Sequence, residues 1–83
     1  MIFRCVPDAT LESETSNLVE HLSRQPTKGL ALIKRALQAS GHHTLPEQLD
    51  LERDLQHLAG QTQDFREGVS AFLEKRPPHF EGR

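Results

Sequence analysis

The residues best equipped for chemistry lie near the end of the chain, where Phe72 is followed by Lys75 and Arg76. They form the one basic–aromatic cluster in the chain. The competing reading is electrostatic: basic residues at a helix end offset the partial negative charge of its free carbonyls. Other candidates are weaker. His42 and His43 follow Gly41 in a predicted loop. Zinc needs further ligands at defined spacing, and His21, His57 and His79 fall on separate segments, so the pair reads as solvated. Cys5 has no His or Lys in its own segment to generate a thiolate and is expected to be a buried or half-buried structural thiol. The acids Asp50, Glu52 and Asp54, like Asp64 and Glu67, alternate with Arg53 and Arg66; they read as solvated, salt-bridged faces. A Gly-rich phosphate loop, a Gly-x-Ser-x-Gly elbow and a metal-binding helix motif are all missing from the sequence, so no catalytic or metal residue is assigned.

The elements that must position these groups are helical. Residues Ile2 to Val6 form a short, partly β-branched stretch, a weak strand or an extended lead-in, stopped by Pro7. Asp8 is expected to cap a first helix, with Leu11, Leu18, Val19 and Leu22 on one stripe. Pro26 ends it by disfavouring helical geometry at Gln25. A second helix runs from Thr27 to about Ala39 with Leu30, Ile33 and Leu37 aligned, and Gly41 breaks it. Thr44-Leu45-Pro46-Glu47 is a capping box with Pro in the first turn. It opens a third helix that ends at Gly60. Leu49, Leu51, Leu55 and Leu58 cover more than one narrow stripe there, as expected of a central or interface helix. Thr62 caps a fourth helix, with Asp64 and Glu67 near its start and Phe65, Val69, Phe72 and Leu73 on one face. Gly68 within it is expected to mark a close helix–helix approach, and Pro77-Pro78 stops it. The fold class is all-α, four short helices in one unit behind an extended start.

Composition narrows the partners. The net charge is −2, from 10 Lys+Arg against 12 Asp+Glu, with no basic run of the kind nucleic acid requires. No apolar stretch approaches the roughly 20 residues needed to cross a bilayer. A single cysteine and no signal-like start fit a cytoplasmic protein. At 83 residues, 35% hydrophobic and 5% aromatic, the core is thin, and thin cores often need a partner surface.

Three runs taken in order, PTKGLALIKRALQAS, TLPEQLDLERDLQ and DFREGVSAFLEKRPP, resemble the C-terminal helical region of the crotonase (enoyl-CoA hydratase/isomerase) family. The form EG-x-x-A-F-x-E-K-R-P-P is the most specific part. Within the family the run is most similar to bacterial ring-epoxide isomerases of phenylacetate catabolism. IFRCVPD resembles the strand leading into this region. The resemblance implies a C-terminal assembly and pocket-covering domain spanning residues 1–83, without the spiral core that binds acyl-CoA and does the chemistry, and inactive alone. It implies homo-oligomer contacts through the helical faces. It also implies that Lys75, with Phe72 close by and Arg76 secondarily, lies near the phosphates or adenine of coenzyme A, a substrate handle rather than a cofactor. An independent helical interaction module and a non-catalytic acyl-CoA-binding module are the alternatives.

Overall fold

Pro7 stands at the entry to the first helix, Pro26 between the first two, Pro46 in the first turn of the third, and Pro77-Pro78 beyond the last. A computed structural model describes residues 2–83 and contains, among these, four α-helices: α1 (Asp8–Ser23), α2 (Thr27–Ser40), α3 (Leu45–Gly60) and α4 (Gln63–Leu73). Residues 2–6 form no strand and bend at Phe3. A strand needs a neighbouring edge to pair with, and the described residues offer none.

Local signals account for most boundaries. At the start of α3, Glu47 Oε2 accepts the Thr44 amide at 2.8 Å and its hydroxyl at 2.9 Å. At the start of α4, the Thr62 hydroxyl accepts the Phe65 amide at 3.0 Å and donates to the Ala59 carbonyl at 2.7 Å, joining the end of α3 to α4. The expected Asp8 cap is corrected. Pro7 occupies the cap position and Asp8 is the first helical residue. Pro7 carries the fixed φ of a helix entry, and its carbonyl takes both the amide and the hydroxyl of Thr10 at 3.0 Å.

α2 packs along α3, and α3 touches α4 more lightly; α1 has no comparable partner. α3 is thus the central helix, as its broad leucine distribution implies. Gln48 ties the pair together by donating from α3 to the Ala36 carbonyl of α2 at 3.1 Å. The result is a slab of 45 × 39 × 18 Å with a radius of gyration of 16.0 Å. A compact chain of this length has a radius of about 12 Å.

Few apolar groups are enclosed. Leu55 and Ala71 are the buried apolar residues among those described, whereas Leu11 and Val19 on α1, Ile33 and Leu37 on α2, and Leu49 on α3 stay more than half exposed. The stripes read from sequence exist, and most of them face outward. The accessible surface is 7063 Å², against about 5,000 Å² for a compact 9.4 kDa monomer. That excess exceeds the roughly 800 Å² per partner of a standard protein interface.

Candidate functional site

α4 and the tail behind it hold every residue assigned a ligand role. Phe65, Val69, Phe72 and Leu73 share a face as expected, and they line an apolar groove of about 410 Å³ together with Pro26, Gly29, Ala59, Gly68 and Phe80. Phe72 is 82% exposed, so its ring is open to an incoming surface or ligand. A second groove of about 350 Å³ runs between α2 and α3, lined by Ile33, Leu37, Leu55 and Ala59 among others.

The helix ends in a left-handed turn. Glu74 is the C-cap, and Lys75 has φ +56°. The Lys75 amide donates to the Phe72 carbonyl at 3.3 Å, and the Arg76 amide to the Ala71 carbonyl at 3.0 Å. This is a Schellman closure, in which glycine normally takes the left-handed position because it lacks a Cβ. Here the strained position is filled by the lysine that sequence reasoning singled out. Its side chain is exposed and joins no ion pair among the described residues.

The turn sends Arg76 back along the helix. Its guanidinium grips Glu67 with two bonds, Nη1–Oε1 at 2.6 Å and Nη2–Oε2 at 3.0 Å. Nε donates to Glu74 Oε2 at 2.7 Å. Glu67 Oε1 also accepts the His79 amide at 2.8 Å. The guanidinium, foremost, and that amide hold the Glu67 carboxyl down at about 2, while the two carboxylates raise Arg76 above its usual range. Lys75 and Arg76 are therefore adjacent but chemically unlike. One cation is open and the other is committed to two carboxylates.

Asp64 and Glu67 depart from the solvated face expected of them. Arg66 pairs with neither; Glu67 takes Arg76, nine residues on. Asp64 is 3% exposed. Its Oδ1 accepts the Glu81 amide and its Oδ2 the Gly82 amide, both at 2.8 Å, and its own amide donates to the Arg83 carbonyl at 2.7 Å. The tail consequently folds back on α4, and the Phe80 ring lies over Gly68, 3.5 Å from where a Cβ would stand. Gly68 thus admits a tail phenylalanine rather than another helix. One signal for Asp64 was present in the sequence: Thr62 already supplies the helix cap, which leaves the following acid free for another partner.

The other candidates separate. Arg53 bridges Asp50 at 3.1 Å and Asp54 at 2.9 Å, the salt-bridged face expected on α3. His43 Nδ1 lies 3.1 Å from Gln48 Oε1, and both His42 and His43 are exposed. No cluster of metal-ligating side chains occurs among the described residues. Cys5 is exposed, not sheltered as expected, although α1 lies beside the segment that carries it and Glu14 pairs with Arg4 there at 2.8 Å. No described helix is long and apolar enough to cross a membrane.

Comparison with known proteins places this arrangement. A sequence model of the enoyl-CoA hydratase/isomerase family matches residues 1–83. The chain is 54% identical over 83 residues to the 1,2-epoxyphenylacetyl-CoA isomerase of Escherichia coli (strain K12), covering 100% of this chain and 32% of that protein. It is 49% identical, with the same coverage, to a probable enoyl-CoA hydratase of Rhodobacter capsulatus. The chain thus spans 32% of the length of these curated relatives. A crystal structure of an enoyl-CoA hydratase from Geobacillus kaustophilus HTA426 superposes with a TM-score of 0.88 at 32% identity, over 93% of this chain and 29% of that one. With sequence matched from end to end and the helical arrangement matched in space, the chain belongs to the enoyl-CoA hydratase/isomerase (crotonase) family.

Proposed function

We propose that these 83 residues are the C-terminal assembly and pocket-covering region of an enoyl-CoA hydratase/isomerase-type enzyme, and that they do not turn over acyl-CoA by themselves. One observation carries the reading. A chain with amphipathic helices throughout buries only Leu55 and Ala71 among its described apolar side chains. Helical stripes of this kind are stabilised chiefly by packing against something else. The faces of α1, α2 and α3 that stay open are the contact surfaces for a core region and for neighbouring subunits.

The chemistry agrees with a supporting role. An enolate intermediate requires preorganised donors in a site closed to water, and the grooves here are open. Several acids are already engaged: Asp64 with tail amides, Glu67 with Arg76, Asp50 and Asp54 with Arg53. None of these stands poised for proton transfer. Phe72 and Lys75 are the groups left available. In the assembled enzyme the Lys75 ammonium lies near the phosphates or adenine of coenzyme A, with the Phe72 ring close by.

Two measurements on the purified chain test this. Sedimentation velocity should show association that grows with concentration, and an enoyl-CoA assay should show no hydration or isomerisation. A species that stays monomeric at high concentration, or measurable turnover, overturns the reading.

A further inference from the structure

Arg76 looks from sequence like a second phosphate contact, and its surroundings argue otherwise. Three of its N–H donors are spent on two carboxylates, at 2.6, 3.0 and 2.7 Å, and Nη1 also donates to the Pro77 carbonyl at 3.3 Å. A fork–fork arginine–carboxylate pair is a strong, directional contact, and an external anion would have to break it. Meanwhile Glu74 and Glu67 flank Lys75: one precedes it in the chain, and the other grips the residue that follows it. Left to themselves, these two acids would attract the nearest ammonium. We propose that Arg76 is a positioning residue for Lys75: by occupying Glu67 and Glu74, it leaves the Lys75 ammonium free to meet a phosphate-bearing ligand. The inference rests on the reading of Lys75 as a contact for the coenzyme A phosphates.

The charges make the same point. Arg76, Lys75, Glu67 and Glu74 sum to zero; Arg76 offsets one of the two negative charges and leaves Lys75 as the cation outside the pairing. Replacing Arg76 leaves one cation beside two anions, a cluster that repels phosphate and claims the lysine. A lysine at position 76 would not substitute well, because its single ammonium cannot bridge two carboxylates as a planar fork does.

The test pairs a ligand readout with one that needs no ligand. Coenzyme A is titrated calorimetrically into the purified chain, and the acetylation rate of Lys75 by limiting acetic anhydride is followed by mass spectrometry, with Lys34 as internal reference. Lys75→Ala should weaken coenzyme A binding about fivefold, the scale of one exposed ion pair. Arg76→Ala should weaken it to a similar extent and also slow Lys75 acetylation. Adding Glu67→Gln and Glu74→Gln to Arg76→Ala should restore both. A triple variant that stays weak shows that Arg76 touches the anion directly and overturns the inference. Unchanged Lys75 acetylation in Arg76→Ala overturns it as well, whatever the ligand does. If Lys75→Ala binds like the parent chain, or the parent chain does not bind coenzyme A, the reading of Lys75 fails instead, and the acetylation rates still decide whether Arg76 keeps that ammonium unpaired. Should Arg76→Ala lose helicity by circular dichroism, Arg76→Gln removes the charge while keeping donor hydrogens and makes the same test.

Discussion

The Gly82 amide donates to Oδ2 of Asp64 at 2.8 Å, across 18 residues of chain. The Glu81 amide does the same to Oδ1, so one buried carboxylate holds the end of the protein against the start of α4. Asp64→Ala should strand both amides and free the tail. The expected loss is about 2–3 kcal/mol, the scale of hydrogen bonds to a charged group. In a chain this small that is a large share of total stability. Urea denaturation should show a lower midpoint, and carboxypeptidase should trim the variant faster. A midpoint equal to that of the parent chain would mean the clasp is ornamental.

Two glycines should respond in opposite directions. At Gly68 an added methyl would sit 3.5 Å from the Phe80 ring, an ordinary contact, so Gly68→Ala should stabilise the chain by up to about 1 kcal/mol through helix propensity. At Gly82, φ is +78° and an added Cβ would lie 2.7 Å from Thr27 Oγ1. Gly82→Ala should cost about 1–2 kcal/mol from the backbone conformation alone. Thermal melts of the two variants check the sign of each.

Lys75→Gly separates stability from ligand contact. The left-handed turn at φ +56° suits glycine, so this variant should be about 1 kcal/mol more stable than the parent chain. Its affinity for coenzyme A should nevertheless fall as it does in Lys75→Ala. A melt that moves down would show that the lysine side chain stabilises the turn it occupies.

Acid should loosen the α4 terminus. The folded Glu67 carboxyl sits at about 2, below its ordinary 4.5, chiefly because of the Arg76 guanidinium and then the His79 amide. A depressed carboxyl pKa contributes stability that is complete above the unfolded value and is lost as pH falls through the folded one. The loss therefore runs from about pH 4.5 down to about 2. Glu47, lowered by its bonds to Thr44, acts in the same direction. Melting temperature plotted against pH should drop less steeply over this window in Glu67→Gln than in the parent chain. Parallel curves would rule out the pair as a source of acid sensitivity.

What the sequence determined by itself is local. Thr44 and Glu47, three residues apart, announce the start of α3. Thr62 announces α4, Pro26 and Pro77-Pro78 lie just past the ends of α1 and α4, and each of these effects acts within about a turn. The family resemblance was legible for the same reason, being carried by those turns in order. The contacts that depend on the folded backbone join residues farther apart. The αL turn at Lys75, which no glycine marks, swings Arg76 onto Glu67 nine residues back, brings Phe80 over Gly68, and delivers Glu81 and Gly82 to Asp64. Such pairings depend on the path of the backbone through a strained residue, and periodicity carries no record of that path. The exposure of Cys5 and of the leucine stripes is decided in the same way, since a stripe shows that a face is apolar and says nothing about what lies against it.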